Sequence, residues 1–191
     1  MPPPKQQPPI ETELAVYSGT SVGNYVVFGY AEGRRANPID IEYDMHLWGR
    51  FLKANVDYVA EAMPTFLMNE PAKYGLNTLA EGPARQEVYG GGIYPTGARF
   101  LWRPNRSFRP YLIGQGGILY FQNHVLSPEG AKLNYSGKFG IGAEQSLNHR
   151  LDLRIGYSDL HVSNGDTAPH NPGIDFIYLY AGVSFRLRNL R

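Results

Sequence analysis

From Ile39 to Trp48 the side chains change character at every step. Ile39, Ile41, Tyr43, Met45 and Leu47 alternate with Asp40, Glu42, Asp44, His46 and Trp48. Successive side chains of a strand point to opposite faces, so this stretch reads as a strand with one oily and one charged side. Residues 53–67 repeat the pattern, with Ala54, Val56, Tyr58, Ala60 and Ala62 against Asn55, Asp57 and Glu61. Residues 133–147 do so again, with Tyr135, Phe139, Ile141 and Ala143 against Ser136, Lys138, Gly140, Gly142 and Glu144. No segment carries a helical period or an internal repeat. Weaker alternation over 87–102 and 110–123 marks two glycine-rich strands. Residues 13–32 read as one long strand bent at Gly19–Gly23, with a hairpin as the lesser reading. Two arms between Leu151 and Phe185 bring the expected count to eight.

The connections sort the eight strands. Short ones are expected around Gly49–Phe51, Pro104–Phe108 and Asn148–His149. Longer ones are expected around Gly33–Pro38, Asn69–Gln86, His124–Lys132 and Asn164–Pro172. Alternating short and long connections suit an antiparallel up-and-down barrel whose two rims face different compartments. The charged faces, which include Asp40, Glu42, Asp44, Asp57, Glu61, Lys138, Glu144, Asp152 and Arg154, all turn to one side of the sheet. A soluble barrel or sandwich turns such a face to water, and a transmembrane barrel turns it into the lumen. Alternation alone leaves that choice open.

At 191 residues the chain is read as a proline-rich tail over 1–11 and one β domain over 12–191. The net charge of +1 and the lack of a long basic run give no footprint for nucleic acid. The chain has no cysteine, which excludes disulfides, thiolate metal sites and a cysteine nucleophile. The longest uncharged run, 110–128, is broken by Pro110, Gly114, Gly116 and Gly117, so a spanning helix is disfavoured. The N-terminus lacks the apolar core of a secretory signal, which is expected to be missing from this sequence. Trp48 and Trp102 fall near strand ends, as an interfacial girdle or core packing would place them. The Gly90-Gly91-Gly92 run lacks the helix and Lys-Ser/Thr pair of a phosphate loop.

The chemistry gathers at the last pair of strands. Leu151, Leu153, Ile155, Tyr157, His161 and Ser163 share one face of the first arm, and Asp175, Ile177, Leu179, Ala181, Val183 and Phe185 share one face of the second. A hydroxyl, an imidazole and a carboxylate therefore stand on the greasier face at one end of the hairpin. A serine hydroxyl becomes a nucleophile when a neighbouring base takes its proton and a carboxylate fixes that base. On spacing alone the signal is weak, and a strand-end His near a Ser is more often a solvated rim pair. His46, His124, His149 and His170 show no metal-ligand spacing, and no metal or cofactor is expected.

The segments HVSN (His161–Asn164) and NPGID (Asn171–Asp175) resemble the signature of the lipid A 3-O-deacylase family, the PagL-type outer-membrane esterases. The resemblance is strong over the last strand pair and looser over the rest. It implies an eight-stranded antiparallel up-and-down transmembrane β-barrel in the Gram-negative outer membrane. It further implies a triad on the lipid-facing wall near the external rim, removing the acyl chain esterified at position 3 of lipid A. Carried over, Ser163 is the nucleophile, His161 the general base and Asp175 the orienting acid. Asn171 and Asn164, or the amides after Asn164, are the oxyanion or substrate contacts. Lipid A or lipopolysaccharide and outer-membrane lipids are the implied partners, with room for a homodimer and no place for nucleic acid. The family's acid is typically Glu, so the shorter Asp175 implies weaker turnover unless the strands compensate. The ending RLRNLR after Phe185 also departs from a terminal aromatic. The competing expectations are a catalytically silent structural or lipid-binding barrel, and a soluble ligand-binding barrel.

Overall fold

The computed structural model describes residues 10–22, 27–29, 33–71, 85–127 and 129–190. Eight antiparallel strands close into one barrel in sequence order: β1 (Ile10–Ser21), β2 (Arg35–Phe51), β3 (Ala54–Pro71), β4 (Arg85–Trp102), β5 (Phe108–Phe121), β6 (Leu133–Ser146), β7 (Leu151–Ser163) and β8 (Ile174–Leu190). β1 closes the ring by pairing with β8, for example Val16 with Val183. Intervals 52–53, 103–107 and 147–150 join strands at one rim. The strand ends Ser21, Pro71, Phe121 and Ser163 mark the other.

Which face points inward is decided by exposure. Asp40, Glu42, Asp44, Asp57, Glu61, Glu144, Asp152 and Arg154 are all buried, whereas Phe139 and Ile141 on the opposite face are 61% and 57% exposed. The charged side is thus the lumen and the oily side the outer wall, the arrangement of a barrel set in hydrocarbon. Trp48 lies on the outside, past a register shift between His46 and Arg50.

The lumen is filled in two layers. Towards the short-interval rim, Arg99, Arg109 and Arg154 interleave with Glu13, Asp44, Asp57, Glu144 and Asp152; Arg99 Nη1 lies 2.8 Å from Glu144 and Arg154 Nη2 2.7 Å from Asp44. Lys138 reaches Glu61 and Tyr17 above them. Towards the other rim the lumen is mainly apolar, apart from the buried Arg34–Glu70 pair: Phe66 meets Phe121 and Phe176 edge to face at 5.6 and 5.3 Å, among Met68, Leu119, Leu160 and Ile174. The expected mixed-sign interior therefore occupies only part of the barrel. A register shift between Met63 and Phe66 carries β3 past its charged segment and turns Phe66 and Met68 inward.

The strand centres agree with the sequence reading, but the first connection does not. β1 ends at Ser21; Val22 and residues 27–29 are outside any strand, and the rest of 23–32 lies outside the described residues. β2 starts at Arg35 because β3 continues to Pro71 and pairs Arg35 with Asn69. Pro38 is tolerated within β2 because the β1 ladder stops at the Ser18–Ile39 pair. Of the tail assigned to 1–11, residues 1–9 lie outside the described residues, and Ile10 and Glu11 join β1.

Candidate active site on the outer wall

β7 and β8 place His161 directly opposite Asp175 in the antiparallel ladder. Their strand neighbours Leu160, Val162, Ile174 and Phe176 belong to the buried core, so alternation turns His161 and Asp175 to the outer wall. His161 Nδ1 lies 2.6 Å from Asp175 Oδ1. An ionised carboxylate only accepts, so Nδ1 carries a proton, and in the neutral ring Nε2 then keeps its lone pair. The imidazole is 29% exposed and the carboxylate not at all. The cover comes from the β1–β2 connection, where the backbone N–H groups of Val27, Phe28 and Gly29 all donate to Asp175 Oδ2, at 2.7 Å from Val27 and 2.8 Å from Gly29. The Phe28 ring stands edge-on to the imidazole with centroids 6.0 Å apart.

Ser163 ends β7 on the same outward face, one strand repeat from His161, or about 6.6 Å by strand rise. Its Oγ accepts from Asn171 Nδ2 at 2.9 Å and from the Gly165 N–H at 3.2 Å, and lies 3.1 Å from Asn171 Oδ1. Among the described residues no hydrogen bond joins Ser163 to His161. Asn164 is fully buried, and its side chain builds the loop: Oδ1 accepts the Asp166 N–H at 2.9 Å and Nδ2 donates to the His170 carbonyl at 2.8 Å. Its backbone N–H donates to Asn171 Oδ1 at 3.0 Å, which aims the Asn171 amide at Ser163. Asn164 thus shapes the loop, while Asn171 and the Gly165 N–H face the hydroxyl.

His46 and His170 lie apart from this wall. His46 Nδ1 bonds Asp57 at 2.8 Å in the lumen, and His170 sits 3.9 Å from Glu129 on the rim. Among the described residues the acidic cluster of Glu13, Glu144 and Asp152 is dense enough to hold a cation. Arg109 already fills it, 2.8 Å from Glu144 and 2.6 Å from Asp152.

Comparison with known proteins adds a family to this geometry. The sequence model described as lipid A 3-O-deacylase (PagL) matches residues 40–184, which take in His161, Ser163, Asn164, Asn171 and Asp175. The chain belongs to the lipid A 3-O-deacylase family. No individually curated protein sequence matches it significantly. Among solved structures, this family member is similar to the outer membrane enzyme PagL, with a TM-score of 0.61 and 12% identity over 91% of this chain and 97% of that one. It also resembles the outer membrane protein OprG from Pseudomonas aeruginosa, with a TM-score of 0.52 and 10% identity over 94% of this chain and 96% of that one. Ail of Yersinia pestis gives a TM-score of 0.50 and 10% identity over 95% and 100%. At these identities the likeness establishes a shared barrel fold.

Two features of this deacylase-family wall escape sequence reasoning. The Val27–Gly29 amides gave no signal, since that stretch reads as strand and meets Asp175 across 148 residues of chain. Asp159 did carry one, because parity sets it between Tyr157 and His161 on the outward face. It is half-buried opposite Phe139, and its Oδ1 has no hydrogen-bond partner among the described residues.

Proposed function

We propose that the protein is an outer-membrane esterase that removes the 3-O-linked acyl chain of lipid A, with Ser163 as nucleophile, His161 as general base and Asp175 as orienting acid. The observation that carries this reading is the 2.6 Å His161–Asp175 contact on an otherwise oily wall. A charge-assisted pair there serves no packing purpose, whereas an ester carried in a lipid would meet it directly. An apolar groove of about 710 Å³, lined by Leu112, Ile141, Ile155, Tyr157 and Leu179, runs across the outer wall from β5 to β8 and suits an acyl chain. The family match and the barrel fold support the same substrate class.

Catalysis starts when Ser163 Oγ turns from Asn171 to His161 Nε2. As Oγ attacks the ester carbonyl carbon, Nε2 takes its proton and Asp175 stabilises the imidazolium. The Gly165 N–H and Asn171 Nδ2 already point at Oγ and donate to the oxyanion that forms beside it. Collapse of the tetrahedral intermediate breaks the ester C–O bond, and His161 returns its proton to the departing sugar oxygen. Water, activated by the same imidazole, then releases the acyl group from Ser163 as a carboxylic acid.

Mass spectrometry of lipid A incubated with the purified barrel tests the proposal. The wild type removes one hydroxyacyl group, and Ser163→Ala loses at least about 10³-fold of that rate while keeping the barrel. Undiminished cleavage by the variant rules the assignment out. One observation favours a second reading, a silent barrel that keeps the scaffold: Ser163 Oγ is held by Asn171 and not by His161. A lipid A mass unchanged by the wild type selects that reading.

A further inference from the structure

We infer that Val27–Gly29 is a positioning clamp for Asp175, so that the connection after β1 completes the site that β7 and β8 begin. The kinetic consequence of the clamp rests on the esterase reading; its geometry does not. Three consecutive backbone N–H groups converge on a single carboxylate oxygen, Asp175 Oδ2. Such a concave run of amides is an anion nest, and hydrogen bonds to an ionised acceptor are the stronger kind. With Oδ2 tied, rotation of the carboxylate is blocked and Oδ1 is left facing His161 Nδ1 at 2.6 Å. The nest thereby fixes the imidazole tautomer through the acid, without touching the ring nitrogen itself.

Packing holds the segment in place. A Cβ on Gly29 would stand 2.8 Å from the Gly173 carbonyl carbon and 2.9 Å from the Ile174 nitrogen, so any side chain at 29 lifts the segment away from β8. The opposing Gly173 has φ +67°, and the His161 ring lies close over it. Phe28 is 70% exposed and presents its ring edge to His161, walling one side of the imidazole. This cover explains how Asp175 is fully buried although it stands on the outer face. Among the described residues the charged groups near His161 on this face are Asp175 and Asp159, and of these Asp175 alone is clamped.

Two variants test the clamp. Gly29→Ala pushes the segment off by bulk, and Val27→Pro deletes one donor without adding atoms against Gly173. Both lie outside the strand ladder, and the shift in electrophoretic mobility on heating reports that the barrel is intact. In either variant kcat on a nitrophenyl ester is expected to fall about 10²-fold, the cost of a misplaced catalytic group, with KM nearly unchanged. Nitrogen-detected NMR of the histidine rings reads the clamp directly: the wild type shows His161 as the Nδ1–H tautomer, and the variants show a tautomer mixture. Variants that keep both the single tautomer and wild-type kcat overturn the inference. A wild type as inactive as Ser163→Ala overturns the esterase reading alone, since the tautomer measurement still decides the clamp.

Discussion

Asp175 is one methylene shorter than a glutamate would be, and its place in the ladder makes up the difference. Directly opposite His161, it needs no longer stem to reach Nδ1 at 2.6 Å. The three amides on Oδ2 make a sharp forecast for Asp175→Asn. Donors at that position select the amide oxygen, so the Asn Nδ2 turns to His161 Nδ1 and forces the proton onto Nε2. The wrong tautomer cannot act as base, and kcat is expected to fall by up to about 10⁴-fold with little change in KM, as single-turnover kinetics would show. Parity in the sequence was enough to set His161, Ser163 and Asp175 on one face. The partner of Ser163 was not legible, because whether Oγ turns to His161 or to Asn171 depends on the loop that Asn164 builds.

Across β5 to β8 one row of inward positions reads Tyr111, Gly142, Gly156, Tyr180. The two tyrosines lean over the two glycines and meet hydroxyl to hydroxyl at 2.7 Å. A Cβ at Gly156 would run into the Tyr180 ring, and one at Gly142 into the Tyr111 hydroxyl. Gly156→Ala therefore overpacks the lumen and should cost about 1–3 kcal/mol, measurable as a shift in the urea midpoint of the barrel refolded in lipid vesicles. The same device weakens the alternation of β4 and β5, where a Cβ at Gly90 would run into the Phe121 ring and one at Gly117 into the Tyr94 ring. Strands with full alternation, β2 and β6, were legible near their centres. The start of β2 was not, since β2 extends to Arg35 only because β3 runs on to pair with it.

For the molecule as a whole, the charged layer of the lumen is the chief liability. Arg154 touches Glu42, Asp44 and Glu144 while only 1% exposed. Removing it leaves three buried carboxylates short of a cation, so Arg154→Met should destabilise the barrel by about 3–5 kcal/mol in the same unfolding assay. Pairing it with Glu144→Met should restore part of the loss, because the two sites share one network. The charged residues of that layer could be listed from the sequence, but not their partners, such as Arg154 and Glu42, which stand 112 residues apart.

In the proposed esterase the reacting groups face sideways from the outer wall, beside the rim where β7 ends. An enzyme built in this way would not wait for substrate to arrive from solution. It would sample its neighbours by in-plane diffusion, so that turnover follows the crowding of ester-bearing lipids in the surrounding leaflet. The released fatty acid would be free to drift off in that same sheet.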